Sequence, residues 1–419
     1  MTCIRYQFKN LSMAAIALTM LAAVVLWVGI AIPAQAQTET LLHQFTGSPD
    51  GANPNAGPTL KGTTLYGTTM DGGTGPGDTG YGTVWAVSTT TGKETILHTF
   101  TVNSQPPYDG LEPLGGVVLD AKGNIYGTTV AGGMQNGSGY GSIYKIAKNG
   151  KQYVEGVLYS FSGGLDGAYP YYGTPVLDKA GNLYGTTAGG GQYSGGTVFK
   201  LSPGGMLTTL HSFNSTGGDG YSPDAGVVLD TKGNIYGATP IGGAYGDGVL
   251  YEITASGTYS ILYNFTGGAD GWTPRSPLVF KAGSLYGTTQ DGGAGCTWGC
   301  GVVFKYTLAK GKKAGYETVL HIFNGADGLY PLYGALVFDK SGNIYGTTLN
   351  GGPTNLGNVY KLAPDGTFTT LYDFDQQPNG MSPFGGVALD TKGNLYTTAA
   401  YGGNYGGEYG GGTVIKVTP

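Results

Sequence analysis

Leu65-Tyr66-Gly67-Thr68-Thr69 is a phrase that this chain repeats, lightly varied, six more times, with its tyrosine at Tyr126, Tyr184, Tyr236, Tyr286, Tyr345 and Tyr396. Successive copies lie 60, 58, 52, 50, 59 and 51 residues apart. A period of this size marks a repeat architecture, in which each unit buries its apolar surface only against its neighbours. Working outward, each copy is the second of four short β-rich runs, named a to d here. Run a is apolar and ends in an acid, as in Val117-Val118-Leu119-Asp120. Two residues and a Gly-Asn pair such as Gly123-Asn124 then read as a tight hairpin into b. A glycine-rich loop leads to run c, for example Thr197-Val198-Phe199-Lys200-Leu201. Run d is Leu-His/Tyr-x-Phe, first seen at Leu42-His43-Gln44-Phe45.

Four-stranded sheets recurring at this interval describe the blades of a β-propeller, and outside the N-terminus no stretch carries a sustained helical period. Large apolar residues fall at both parities of the runs, as expected of sheets covered on both faces by neighbouring blades. The expected fold is therefore all-β, a seven-bladed propeller. The chain enters on a lone d run and ends after a c run, so closure requires residues 38–45 to complete the seventh blade with residues 386–418. That pairing removes the open sheet edge of a linear array.

The first 36 residues read as a secretory signal peptide. Arg5 and Lys9 precede an apolar run over residues 11–32, and Ala34-Gln35-Ala36 supplies a small-residue cleavage site. A retained single-pass anchor is the alternative, because the run approaches the length of a membrane span. Residues 37–419 then form one propeller domain. Of 21 basic and 26 acidic residues, the leader takes Arg5 and Lys9, leaving 19 against 26 and a net charge of −7. Arg275 is the one arginine left, which excludes the clustered positive charge that nucleic acid needs. Cys296 and Cys300 remain as a pair in an exported chain and are expected to form a disulfide, two thiols being too few to hold a metal.

The repeated Gly-Asn-Leu-Tyr-Gly-Thr-Thr, the following Gly-Gly, Thr-Val-Phe-Lys-Leu and Leu-x-x-Phe-x-Gly-Gly-x-Asp-Gly resemble the GloVer tandem-repeat family of exported bacterial proteins, often described with one of several C-terminal surface anchors. The resemblance spans nearly all of residues 37–419 and implies no established activity. Nothing follows the final run here, so it gives no support for anchoring. The Leu-Asp-x-x-Gly-Asn-Leu-Tyr turn also resembles propeller repeats of the NHL type.

His43, His98, His211 and His321 occupy one position of run d, where other copies carry Tyr159, Tyr263 and Tyr372. One per blade on an outer strand, they cannot converge on a single ion, and each ring is expected to hydrogen-bond within its own blade. Asp120, Asp178, Asp230, Asp339 and Asp390 are expected to cap the a–b hairpin. The Asp-Gly pairs from Asp50 to Asp327 suit turns, with loop cation sites as the alternative. Topology puts the long b–c loops and d–a crossings on one face, and these are rich in aromatic residues. Blade five departs most from the repeat, with Trp272 and Arg275 in its d–a crossing and Cys296, Trp298 and Cys300 in its b–c loop.

The expectation is a monomeric, non-enzymatic propeller that binds a polysaccharide or an extracellular protein through this face. Trp272, Arg275, Trp298, Tyr245 and Tyr330 are the candidate ligand residues, with no cofactor, metal or catalytic set. A polysaccharide lyase or hydrolase is the alternative, for which Asp71 and Asp291 are equivalent loop acids in different blades, and a structural or adhesive protein is a third reading.

Overall fold

The computed structural model describes residues 38–75, 80–102, 106, 108–150, 152–216, 218–294, 296–297, 299–375, 378–404 and 410–419. The expected leader and Trp298 lie outside them.

Within each blade, the glycine of the repeated phrase makes room for an aromatic ring of strand c. Gly67 pairs with Trp85, Gly127 with Tyr144, Gly185 with Phe199, Gly237 with Tyr251, Gly287 with Phe304 and Gly346 with Tyr360. A Cβ on Gly185 would meet Phe199 Cζ at 2.6 Å. Blade seven varies both partners together: Thr397 replaces the glycine and pairs with the smaller Ile415. The threonines that follow are also specific. Thr186 Oγ1 donates to the Ala225 carbonyl of the next blade (2.7 Å), and Thr187 Oγ1 accepts from the Thr197 N–H that opens strand c (3.1 Å).

Each of seven antiparallel sheets runs a-b-c-d in space. They comprise residues 59–99, 118–160, 176–212, 228–264, 279–322, 337–373, and 388–418 joined by 38–44. The last closes the ring as expected: Thr38–Gln44 pairs antiparallel with Thr413–Thr418, from Thr38 opposite Thr418 to Gln44 opposite Thr413. Tyrosines of strand b pack between blades, Tyr236 lying parallel to Phe280 with centroids 5.7 Å apart. The phenylalanines of strand d (Phe45, Phe100, Phe161, Phe213, Phe265, Phe323 and Phe374) are all fully buried. The a–b hairpin is capped as expected. Asp120 accepts the Asn124 N–H (2.9 Å), the Asn124 side-chain amide (2.6 Å) and the Tyr126 hydroxyl (3.2 Å).

Strand d carries a β-bulge in every blade, at the leucine before the His/Tyr position. In blade one, Val84 faces His98 and Trp85 faces Ile96, leaving Leu97 as the extra residue. A bulge of this kind bends the strand and re-aims the following side chain. Here the side chain reaches the acid of the Asp-Gly pair in the crossing to the next blade: His98 to Asp109 (3.2 Å), His211 to Asp219 (3.0 Å), His321 to Asp327 (3.1 Å), Tyr159 to Asp166 (2.9 Å) and Tyr263 to Asp270 (2.9 Å). The contact does not stay within one blade, unlike the expectation from sequence. A residue of the next blade's strand d, four before its own His/Tyr position, joins it. Tyr259 donates to Asp219, Phe368 stacks on His321 at 4.1 Å, and Glu39 accepts from Asn379, which replaces the acid (2.7 Å). These clasps rivet adjacent blades near the rim.

Candidate functional site

The d–a crossings and b–c loops share one face, as topology requires, and a short bridge joins them in each blade. Examples are Gly110–Leu111 with Ala131–Gly132, and Trp272 opposite Asp291. Each crossing then turns inward through a residue in the left-handed region followed by proline. These are Asn53, Glu112, Tyr169, Ser222, Thr273, Tyr330 and Ser382, with φ between 56 and 59°. Such a conformation costs a non-glycine residue on the order of 1 kcal/mol or more and persists only where surroundings enforce it. Two backbone hydrogen bonds do so. The Tyr169 N–H donates to Tyr140 of the preceding blade (2.9 Å), and its carbonyl accepts from Ala188 of its own (3.0 Å).

Beyond the proline the chain reaches the axis. Counting back four residues from the first paired residue of strand a gives one position per blade: Asn55, Leu114, Tyr172, Asp224, Arg275, Tyr333 and Phe384. Blades three and six insert one residue, Tyr171 and Leu332, ahead of it. Those two insertions carry the tyrosines that meet across the ring: Tyr172 and Tyr333 stack with centroids 3.6 Å apart and 15° between planes. Arg275 Nη1 donates to Asp224 Oδ2 and to the Tyr333 hydroxyl (3.2 Å). Below them, a glycine collar lets the crossings approach: a Cβ on Gly385 would fall 1.8 Å from the Gly57 nitrogen. A cavity of about 240 Å³ remains, lined in part by Asn55, Leu114, Thr174, Tyr172, Tyr333 and Val387.

The electrostatics of this mouth follow from burial. The Asp224 side chain is 7% exposed and its Oδ1 has no partner among the described residues. Desolvation pushes its carboxyl up to about 6, against the opposing pull of Arg275. Tyr333 is likewise raised, by burial and by the Asp224 charge. The mouth therefore presents a flat aromatic pair beside an ion pair whose charges offset each other and whose Asp224 Oδ1 and Arg275 Nε remain without a partner among the described residues, which suits an uncharged, hydrogen-bonding ligand better than an anion.

An aromatic row leads outward from it. Tyr172 stacks near-parallel to Tyr171 (6.2 Å, 24°), Tyr171 to Tyr169 (6.3 Å, 21°), and Tyr169 meets Tyr140 edge-on (5.6 Å). Tyr140, Tyr169 and Tyr171 are 39, 39 and 36% exposed. The row thus runs from the b–c loop of blade two over the crossing of blade three to the axis.

The candidate residues from sequence are distributed differently. Arg275 joins the mouth. Trp272 instead lines a shallow depression of about 400 Å³ with Asp247, Cys296 and Thr297. Tyr245 is 64% exposed on the b–c loop of blade four, and Tyr330 is the left-handed residue of blade six. Cys296 and Cys300 form the expected disulfide, with Cα atoms 5.5 Å apart; Cys300 is fully buried beside Phe323 and stands where other blades carry Tyr81 and Tyr140. Tyr171, Tyr172, Tyr333 and Asp224 escaped the sequence reading. Aligning the crossings on Pro54, Pro113, Pro170, Pro223, Pro274, Pro331 and Pro383 would have exposed both the seven-residue ring and the two insertions.

The sequence profile of the Gloeobacter/Verrucomicrobia repeat matches residues 30–230 and 175–415. A comparison with curated proteins finds no match. Among solved structures, the virginiamycin B lyase from Staphylococcus aureus is similar over 91% of this chain and 99% of its own, at 11% identity and a TM-score of 0.55. A streptogramin B lyase is similar over 91 and 97%, at 12% identity and a TM-score of 0.52. A fungal alcohol oxidase of the AA5 family in complex with copper is similar over 91 and 76%, at 15% identity and a TM-score of 0.53. At such identities the likeness is one of fold.

Proposed function

We propose that this chain, which belongs to the Gloeobacter/Verrucomicrobia repeat family, is an exported binding protein that takes a neutral polysaccharide across its long-loop face. The observation that carries the reading is the tyrosine row from Tyr140 to the axial Tyr172–Tyr333 stack. Sugar rings present apolar faces and hydroxyl edges, so they stack on aromatic planes and hydrogen-bond to neighbouring polar groups. Three exposed tyrosines held near-parallel or edge-on by neighbours lose little further freedom when a ligand arrives. Export is supported by the leader pattern and by the Cys296–Cys300 disulfide, which persists in oxidising surroundings. Binding is favoured over turnover because the one carboxylate of the mouth ring, Asp224, is already engaged by Arg275.

Affinity electrophoresis against β-glucan, mannan, xylan, alginate and pectin tests the reading, with reducing ends assayed in parallel. At least one neutral polymer is expected to retard the protein. Tyr171→Ala should weaken that retardation by about 1–3 kcal/mol, the worth of one aromatic stacking contact, whereas Tyr316→Ala, on the outer strand of blade five, should not. Retardation by none of the neutral polymers, or retardation unchanged in Tyr171→Ala, overturns it. Release of reducing ends would identify an enzyme instead.

A further inference from the structure

The blade clasps near the rim are not all alike, and the difference lies on the two sides of blade one. Where blade seven meets blade one, the three clasp positions hold His43, Asp50 and Glu94. Where blade one meets blade two, they hold His98, Asp109 and Glu155. At the other junctions that carry histidine, the third position is Tyr259 or Phe368, which closes the clasp by a hydroxyl or by ring stacking. At the junctions built on Tyr159, Tyr263 and Tyr372 there is no imidazole. Only the first two clasps therefore combine an imidazole with two carboxylates, and in both the candidate donor atoms lie within 4.8 Å of one another.

The His43 cluster is more open than the other histidine clasps, whose Nε2–carboxylate distances are 3.2, 3.0 and 3.1 Å, and its spacing matches that of a ligand set. His43 Nε2 stands 3.3 Å from Asp50 Oδ2 and 3.5 Å from Glu94 Oε1. Charge-assisted hydrogen bonds are about 2.7–2.9 Å. Donors held about 2.0–2.1 Å from a tetrahedral zinc ion lie about 3.3–3.4 Å apart. His43 Nε2 and Glu94 Oε1 are both buried without a hydrogen-bond partner among the described residues. Asp50 is oriented from its other oxygen: Oδ1 accepts the Thr46 N–H (2.9 Å) and hydroxyl (2.6 Å), leaving Oδ2 directed at the cluster. Glu155 Oε1 is likewise buried and unpartnered at the second cluster.

We propose that His43, Asp50 and Glu94 form a zinc-class cation site that staples the closing strand of blade seven to blade one, with His98, Asp109 and Glu155 as a second site of the same kind one junction on. One neutral imidazole and two carboxylates leave a fourth, solvent position and match the donor preference of zinc, whereas calcium and magnesium favour all-oxygen shells. His43 lies on the strand whose pairing closes the propeller, so an ion there fixes that strand of blade seven to the outer strand of blade one.

Zn²⁺ alone, titrated calorimetrically into the EDTA-treated full-length chain, tests this. Saturable binding is expected, with a melting temperature about 5 °C higher at hundredfold excess over Kd and the visible absorption of four-coordinate Co²⁺ when that ion is substituted. His43→Tyr and Glu94→Leu copy residues that other junctions already carry, so both variants should fold and melt near the metal-free wild type. Each should bind one equivalent fewer, and adding His98→Tyr to His43→Tyr should abolish binding. His211→Tyr, at a clasp closed by Tyr259, should bind as wild type. Absence of saturable binding, or unchanged stoichiometry in His43→Tyr, overturns the proposal.

Discussion

Asp224→Asn isolates the electrostatic cost of the axial mouth. In the folded chain the Asp224 carboxyl is lifted to about 6 because burial outweighs the pull of Arg275, whereas the unfolded carboxyl titrates near its ordinary value of 3.8. A folded pKa above the unfolded one means that the folded state binds more protons between the two values. The stability this group contributes is therefore fully present below about pH 4 and is lost as pH rises through about 6. A gap of roughly two pH units corresponds to about 3 kcal/mol. Asparagine at this position cannot titrate, so Asp224→Asn should lack that part of the pH dependence whatever its own offset. Urea unfolding of both proteins between pH 4 and 7.5 should show the wild type losing about 3 kcal/mol more than the variant across the interval. Arg275→Met should reinforce the effect. It leaves a buried carboxylate unpaired, costing about 3–5 kcal/mol near pH 7 and less at pH 4, where Asp224 is protonated. Parallel stability curves for wild type and Asp224→Asn would refute the reasoning. They would mean that the carboxyl titrates as if hydrated and that the mouth is open to water at Asp224.

Two further outcomes test the blade itself. Gly185→Thr should destabilise the protein by about 1–3 kcal/mol or more, because the ring of Phe199 is fully buried and has nowhere to move. Combining it with Phe199→Ile recreates the Thr397–Ile415 pair of blade seven, so the double variant should recover at least about 1 kcal/mol relative to the sum of the singles. Additive losses in urea midpoints would show that the glycine is there for another reason. Deleting residues 38–46 removes the whole outer strand of blade seven, and the shortened chain should lose its cooperative thermal transition; a wild-type melting temperature would rule out closure by that strand.

The number of blades, their strand order and the closing strand were legible in sequence because each depends on counting. Seven copies of Tyr-Gly-Thr-Thr and of Leu-His/Tyr-x-Phe set the number, and the lone first d run matches the a-b-c set that lacks one, as its pairing with Thr413–Thr418 shows. The hairpin aspartates were legible for a local reason, since Asp120 bonds within six residues of itself. The clasps were not. A bulge at Leu97 turns His98 toward the crossing, and its third partner, Glu155, belongs to the next blade; periodicity does not reveal a bulge, and alternation alone misassigns the faces beyond it. The left-handed residues ahead of each proline were hidden too. A residue before proline is ordinarily extended, and it is two inter-segment hydrogen bonds that hold Tyr169 otherwise.

Distance from the axis decides what a repeated position can do: each strand-d histidine sits in a clasp of its own, whereas the axial positions meet one another. At the rim, a residue meets only the adjacent blade, so its identity is settled pairwise, as with His211 and Tyr259 or Asn379 and Glu39. At the axis, residues from several blades enter the same small volume, and blades that are not neighbours touch: Tyr172 of blade three lies flat on Tyr333 of blade six. Different local sequences then specify one site together. The residues there include Asn55, Leu114, Tyr172, Asp224, Arg275 and Tyr333, which share no residue type except tyrosine, although the glycines and prolines that position them recur. Backbone bridges between crossings and loops carry the shape of the ring, so these side chains are free to differ without loss of the fold. Variation at the rim is therefore confined to pairs of neighbouring blades, whereas variation at the axis is pooled, which is why the proposed binding role is assigned to the axial mouth and the tyrosine row that leads to it.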